Sequence, residues 1–252
     1  MNCKINGFGD PLVLIHGWGM NGKVWDNIES KLSKQFKLYI FNLPGMGGCP
    51  YKKEYAIDKL IDSMNEYIPH NSSLLGWSLG GQIAMAYHKK YSEKIKRLIL
   101  VSSTPCFINK KDWYYGVEKE IFEEFESQLL FNWKKTIKKF MLLQFDGLTN
   151  SRKLATTLEN NILKLADPSP EALSSSLKLL LRIDYREDLK NIHTDTLIIS
   201  GDKDKITPFS SSQFMAKIIP TSTLHLIPGA GHIPFLYNPK VFINSVTSFL
   251  KK

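Results

Sequence analysis

One turn constrains this chain more than any other stretch: Gly76-Trp77-Ser78-Leu79-Gly80-Gly81. The apolar run Ser72-Ser73-Leu74-Leu75 leads into it, and Gln82-Ile83-Ala84-Met85-Ala86-Tyr87 reads as a helix after it. A G-x-S-x-G set between strand and helix has the form of a nucleophile elbow. Such a turn is tight enough that the residues flanking the serine must be small, and glycine stands at 76 and 80. The serine oxygen then projects above the sheet edge, where the next helix aims its dipole and free N–H groups. Taken alone, the pattern also fits any glycine-rich strand-to-helix turn. The rest of the chain has to decide.

With 252 residues there is length for one large α/β domain or two small ones, and for a sizeable core. No apolar run approaches the roughly 18 residues of a membrane span, and Met1-Asn2-Cys3-Lys4-Ile5-Asn6 lacks the apolar centre of a signal peptide. No membrane partner is expected. Cys3, Cys49 and Cys106 are odd in number and fit no metal spacing. They suit a reducing cytoplasm, with Cys106 a packed small residue. The net charge is +9, yet all but Arg97, Arg152, Arg182 and Arg186 of the 33 basic residues are lysine. That skew weakens global charge as an argument for an acidic partner, so local clustering matters more. Nucleic-acid binding is not expected, because no recognised module is present and lysine is dispersed outside one helical stretch.

Leu12-Val13-Leu14-Ile15 is a continuous apolar run, as in a strand covered on both faces. Val24, Trp25, Ile28 and Leu32 predict a helix over about 22–34, followed by a strand at 37–41. Ile57, Leu60, Ile61, Met64 and Ile68 mark another helix, and Leu98-Ile99-Leu100-Val101 a strand after the elbow helix. Strands are also expected at 196–199 and 223–227, with helices around 209–219 and 239–250. This alternation predicts a mostly parallel sheet flanked by crossover helices. It stops near Ser103 and resumes near Thr194, with helical periodicity between. The expected division is a core of 1–104 and 191–252 with a helical lid at 105–190, inserted within one domain.

A serine hydroxyl needs a base within reach and a third group to fix that base's tautomer. The strand at 196–199 ends in Ser200-Gly201-Asp202-Lys203-Asp204, and the strand at 223–227 in Pro228-Gly229-Ala230-Gly231-His232. His232 is the histidine in a glycine-flanked loop after a late strand. His70, His88, His193 and His225 read as surface or core residues. Asp202 and Asp204 compete as the acid. Asp204 is favoured, because the third residue past Gly201 would turn toward the histidine while Asp202 shapes the turn. Two backbone N–H donors should form an oxyanion hole, each worth about 2.7–4 kcal/mol in the transition state. These are assigned to Leu79, and to Trp18 in His16-Gly17-Trp18-Gly19, with His16 bracing that loop. Serine, acid and histidine in this chain order are the arrangement of an α/β-hydrolase.

Within that superfamily the chain resembles the pimeloyl-[acyl-carrier protein] methyl ester esterase family of biotin synthesis, over nearly its whole length. The matching stretches are His16-Gly17-Trp18-Gly19-Met20-Asn21, Leu75-Gly76-Trp77-Ser78-Leu79-Gly80-Gly81, Ser103-Thr104-Pro105-Cys106-Phe107, Phe140-Met141-Leu142-Leu143-Gln144 and His232-Ile233-Pro234-Phe235. The resemblance implies Ser78, Asp204 and His232 as triad. It implies Trp18, Ser78, Leu79, His232 and the run Phe140, Met141, Leu142, Leu143 and Gln144 as substrate contacts. It also implies hydrolysis of a methyl ester on an acyl chain tethered to a carrier protein, by a monomer, with no metal or organic cofactor.

The carrier end of such a substrate is a thioester that must survive. On a helical wheel of 133–144, Trp133, Ile137, Phe140 and Gln144 fall on one side and Lys134, Lys135, Lys138 and Lys139 on the other. The aromatic side is expected to roof an acyl channel, and Lys135, Lys138, Lys139 and Arg152 to dock the acidic carrier. An ordinary solvated lysine face would have the same pattern. The family's docking surface leans on arginine. Here Lys135 and Lys139 replace two arginines, Arg152 matches a third and Thr156 replaces a fourth, so bidentate pairing is lost at those places. The competing readings are a broad short-chain carboxylesterase, a carbon–carbon bond hydrolase of the same fold, and a non-catalytic small-molecule binder. Dehalogenases and epoxide hydrolases carry aspartate at the elbow, so Ser78 argues against them.

Overall fold

The computed structural model describes residues 1–51 and 55–252. Seven strands form one sheet: β1 (Asn2–Asn6), β2 (Asp10–Ile15), β3 (Phe36–Asn42), β4 (Ser72–Trp77), β5 (Ile95–Val101), β6 (Thr196–Gly201) and β7 (Ser222–Ile227). Their spatial order is β1-β3-β2-β4-β5-β6-β7. Only β1 runs antiparallel, on β3; the other neighbours are parallel. The middle strands are apolar throughout because helices cover both faces. Leu12, Val13, Leu14 and Ile15 are all fully buried, as are Leu98 to Val101.

Register aligns the strand ends. Ile15 pairs with Gly76, Gly76 with Leu100, and Val101 with Ile199. The segments leaving β2, β4, β5, β6 and β7 therefore emerge along one edge, where ligands bind in open parallel sheets. The helices between strands are α1 (Asp26–Leu32), α2 (Ile57–Asn65) and α3 (Leu79–Tyr91). The expected helix at 22–34 begins as a 3-10 turn, Gly22–Trp25, capped by the Asn21 side chain on the Lys23 N–H. β1 was not foreseen. It is a sheet edge, four of its five residues are exposed, and it carries no buried alternation to read.

Between β5 and β6 lie α4 (Lys119–Phe131), α5 (Trp133–Leu143), α6 (Ser151–Ile162) and α7 (Pro170–Arg182). After β6 come α8 (Phe209–Ile218), α9 (Pro234–Tyr237) and α10 (Pro239–Leu250). Asn132 breaks α4 from α5 and caps the second with its side chain on the Lys135 N–H. The inward faces of the inserted helices, among them Phe122, Ile137, Leu158 and Leu177, join the same apolar cluster as the sheet.

The two ends of the insertion are fastened together. A backbone bridge links Cys106 to Asp184. Arg186 makes a fork of two 2.9 Å bonds on Asp184, reaches Asp112 with its other nitrogen, and lies over the Trp113 ring. Lys110 adds a 2.6 Å bond to the same carboxylate. Burial pulls the Asp184 carboxyl upward, but the hydrogen bonds from Arg186 and Lys110 outweigh it and hold the pKa at about 2. A depressed carboxyl contributes stability above its unfolded value near 3.8, and that contribution drains away as the pH falls toward 2. Asp184→Asn should lower the unfolding free energy by about 1–2 kcal/mol at pH 7. In urea titrations from pH 7 to pH 3 the gap to wild type should narrow. A gap that stays constant with pH would contradict this account of the fastening.

Candidate active site

β4 ends at Trp77 and α3 begins at Leu79, so Ser78 alone makes the turn. Its φ of 56° and ψ of −121° lie outside the regions a side chain ordinarily occupies, at a cost of about 1–3 kcal/mol. Four bonds hold it there. Its N–H donates to Val101 O at 3.0 Å, and its carbonyl accepts from Gly81 N, Gln82 N and Ser103 Oγ. The flanking glycines are steric necessities. A Cβ on Gly76 would collide with the Gly80 carbonyl, and one on Gly80 with the Ile15 carbonyl.

The Ser78 Oγ lies 2.9 Å from His232 Nε2, and His232 Nδ1 lies 2.8 Å from Asp204 Oδ2. Both partners are buried. A carboxylate on Nδ1 requires the proton there, which leaves Nε2 bare and facing the hydroxyl. Asp204 is held in turn by the N–H groups of Ile206 (2.8 Å) and Thr207 (2.9 Å) and by the Thr207 hydroxyl (2.8 Å). Asp202 makes a different contact, accepting from Gly229 N and so tying the two late loops together. Of the two aspartates, Asp204 is the one placed against His232. Thr207, which anchors the acid, was not foreseen; an Asp-x-x-Thr spacing after the strand was its only signal.

The loop after β2 lies across the elbow. At Gly17 a Cβ would come within about 3.1 Å of the Trp77 ring and 3.2 Å of Ser78 Cβ, so this backbone passes directly over the serine. Among the described residues no protein group accepts from the backbone N–H of Trp18 or of Leu79. His16 braces the loop. Its Nε2 accepts from Leu43 N at 3.0 Å, so the proton sits on Nδ1, which donates to Gly17 O at 2.8 Å. Burial pushes the His16 pKa down to about 4, against a smaller upward pull from the Gly17 carbonyl.

Above Ser78 opens a cavity of about 330 Å³. Its walls are apolar: Trp18, Phe107, Phe122, Phe125, Phe140 and Leu177 among them, with Lys205 and Glu118 at polar points. Trp18 stands edge-on to Phe125 and Phe140, and its indole N–H donates to Leu173 O in α7. The expected run at 140–144 divides. Phe140 and Leu143 line the cavity. Met141 instead lines a separate cleft with Trp133, Ile137 and Gly19, and Leu142 is 52% exposed on the outer surface. Gln144 is buried and touches the site through its backbone, accepting from His232 N at 3.1 Å. The reason is geometric: successive residues on a helix turn by about 100°, so five in a row cannot share one wall. Leu79 and His232 are buried beside Ser78 and do not form the wall. Phe107, Phe122, Phe125 and Leu177 were not foreseen as wall, because apolar periodicity does not distinguish a core face from a cavity face.

Residues 10–239 match the family model of the α/β hydrolase fold. This chain is an α/β-hydrolase. It is similar to the pimeloyl-[acyl-carrier protein] methyl ester esterase of Wigglesworthia glossinidia brevipalpis, with 42% identity covering 96% of this chain and 93% of that one. The protein of the same name from Nitrosomonas europaea is 35% identical, covering 97% of each. Among solved structures, an esterase from Exiguobacterium antarcticum superposes with a TM-score of 0.92 at 26% identity, over 99% of this chain and 95% of that one.

On the outer surface of this α/β-hydrolase, Lys134, Lys135, Lys138 and Lys139 project from α5. Lys134 pairs with Asp167 and Lys138 with Glu159. Lys135, Lys139 and Arg152 are exposed and make no ion pair among the described residues.

A histidine whose folded pKa is depressed destabilises the fold as the pH drops, because the unfolded chain takes up a proton first. His16 should therefore cost stability between pH 6.5 and about 4. His16→Gln keeps an acceptor for Leu43 N and cannot protonate. Chemical denaturation across that window should show wild type losing about 2–3 kcal/mol more than the variant. Parallel losses would show that His16 is not buried neutral.

Proposed function

We propose that this α/β-hydrolase is a serine carboxylesterase that hydrolyses the methyl ester of pimeloyl-[acyl-carrier protein] methyl ester, giving pimeloyl-[acyl-carrier protein] and methanol in biotin biosynthesis. Ser78 is the nucleophile, His232 the base and Asp204 the group that orients it. The support is one unbroken line of hydrogen bonds, Ser78 Oγ to His232 to Asp204, opening onto an apolar cavity. Relatives at 42% and 35% identity carry the esterase name.

The Ser78 oxygen attacks the ester carbonyl as its proton passes to His232 Nε2. The carbonyl oxygen gains negative charge and takes the N–H groups of Trp18 and Leu79, which cost no protein hydrogen bond to recruit. His232 then returns the proton to the departing methoxide, and methanol leaves. Water, deprotonated by the same nitrogen, cleaves the acyl-enzyme and restores the Ser78 hydroxyl. The product carries a new carboxylate, whose burial against Phe122, Phe125 and Phe140 is unfavourable, so ionisation drives release.

The insertion at 105–190 acts as a lid on the core of 1–104 and 191–252, in a cytoplasmic monomer. Its outer face docks the carrier through Lys135, Lys139 and Arg152, with Lys138 shared with Glu159. Leu142 on the same helix, and Phe131 just before it, offer exposed apolar contact beside those charges. Docking there keeps the thioester outside while the distal ester reaches Ser78. Lysine acts as a point charge without arginine's planar fork, so carrier binding should weaken with salt.

Two tests apply. Lys135→Glu with Lys139→Glu should lower kcat/KM on the carrier-linked methyl ester about tenfold or more, and leave that on p-nitrophenyl butyrate unchanged. Equal effects on both esters would remove the docking role. Wild type should rescue a biotin-requiring strain that lacks the esterase, and Ser78→Ala should not. Failure of wild type to rescue would overturn the substrate assignment.

A further inference from the structure

The backbone of His232 is gripped on both sides of its Cα. Its carbonyl accepts from the indole Nε1 of Trp77 at 2.8 Å, and its N–H donates to the Gln144 carbonyl at 3.1 Å. Trp77 is the residue immediately before Ser78, and Gln144 immediately follows α5. One side of the grip therefore belongs to the elbow and the other to the insertion.

Trp77 is fixed for this task. It is 1% exposed, lies edge-on to Phe235 and Trp25, and packs against the His232 ring with centroids 5.6 Å apart. The Gly17 backbone of the oxyanion loop rests against its ring. One indole thus touches the segments bearing the nucleophile, the base and an oxyanion donor. The Gln144 side is equally close. A Cβ on Gly231 would come within 2.7 Å of the Gln144 carbonyl, so this glycine is what lets α5 end directly on the histidine loop.

We propose that Trp77 and the Gln144 carbonyl are positioning groups that set His232 through its own backbone, so that the seating of α5 controls the Ser78–His232 geometry. The proposal rests on the reading of His232 as base. Imidazole rotation alone cannot place Nε2 in line with Ser78 Oγ while Nδ1 meets Asp204; the Cα must also be held. The two backbone bonds do this, and each comes from an element that carries another part of the site.

Two variants attack the two sides separately. Replacing Trp77 by 3-benzothienylalanine keeps the ring and exchanges only the N–H for sulfur. Gly231→Ala wedges the Gln144 carbonyl away. On p-nitrophenyl butyrate each should lower kcat about ten- to a hundredfold with KM little changed. Each should also shift or broaden the low-field proton resonance of the His232–Asp204 bond. Combined, their effects should fall short of the product, because both act on the backbone of one residue. A drop in Tm with kcat and the proton resonance unchanged would overturn the proposal and leave the contacts structural. Wild type serves as the control for the underlying reading: if it neither turns over the ester nor shows the resonance, the base assignment itself fails, whatever the variants do.

Discussion

Everything at this site depends on how closely three backbones approach one another at the end of β4. The chain can turn from strand to helix in one residue only because Gly76 lies against Gly80, and Gly80 against the Ile15 carbonyl. That contact forces Ser78 into a left-handed conformation it would not choose, and its hydroxyl is the group left pointing out. The strain is sustained by a sheet whose central strands are buried on both faces, so the energy is spread over a large core. The same closeness brings Gly17 over the serine and leaves the N–H groups of Trp18 and Leu79 without acceptors among the described residues. The proposed nucleophile and oxyanion donors are consequences of one packing arrangement.

His232 and Asp204, the proposed base and acid, arrive from the far end of the chain, yet their positions are as firmly set. Asp204 is surrounded by donors and His232 is held through ring and backbone. What the inserted helices add is a boundary. The segment between β5 and β6, its loops included, supplies most of the cavity wall and, through Gln144, one of the bonds on the histidine loop. Under the proposed function, selection between two acyl bonds on one substrate becomes a question of reach: the apolar cavity would admit the ester end, while Lys135, Lys139 and Arg152 outside would hold the carrier end away.

Much of this was legible in the sequence. The glycines at 76 and 80 and the loops after late strands reflect short-range rules of turn chemistry, which hold whatever packs around them, while the order serine, acid, histidine is the chain order of the α/β-hydrolase fold. The sheet's central strands were equally legible, because burial on both faces leaves an unbroken apolar run at 12–15 and 98–101. What escaped notice depends on long-range placement. β1 gains its identity from pairing with β3, and a partly polar edge strand has no signature of its own. Trp77 stands in the sequence only within a family-like stretch, and nothing local indicates that its N–H meets a carbonyl 155 residues away. Residues 140–144 were read as a block, whereas the helix separates Phe140 and Leu143 from Met141 and Leu142.

The most direct measurement is the rate at which a fluorophosphonate labels the protein, with the modified residue located by peptide mass spectrometry. The account predicts a single adduct on Ser78 in wild type, and labelling slowed about a thousandfold or more in His232→Ala. An adduct on another residue, or labelling of His232→Ala at the wild-type rate, would contradict it.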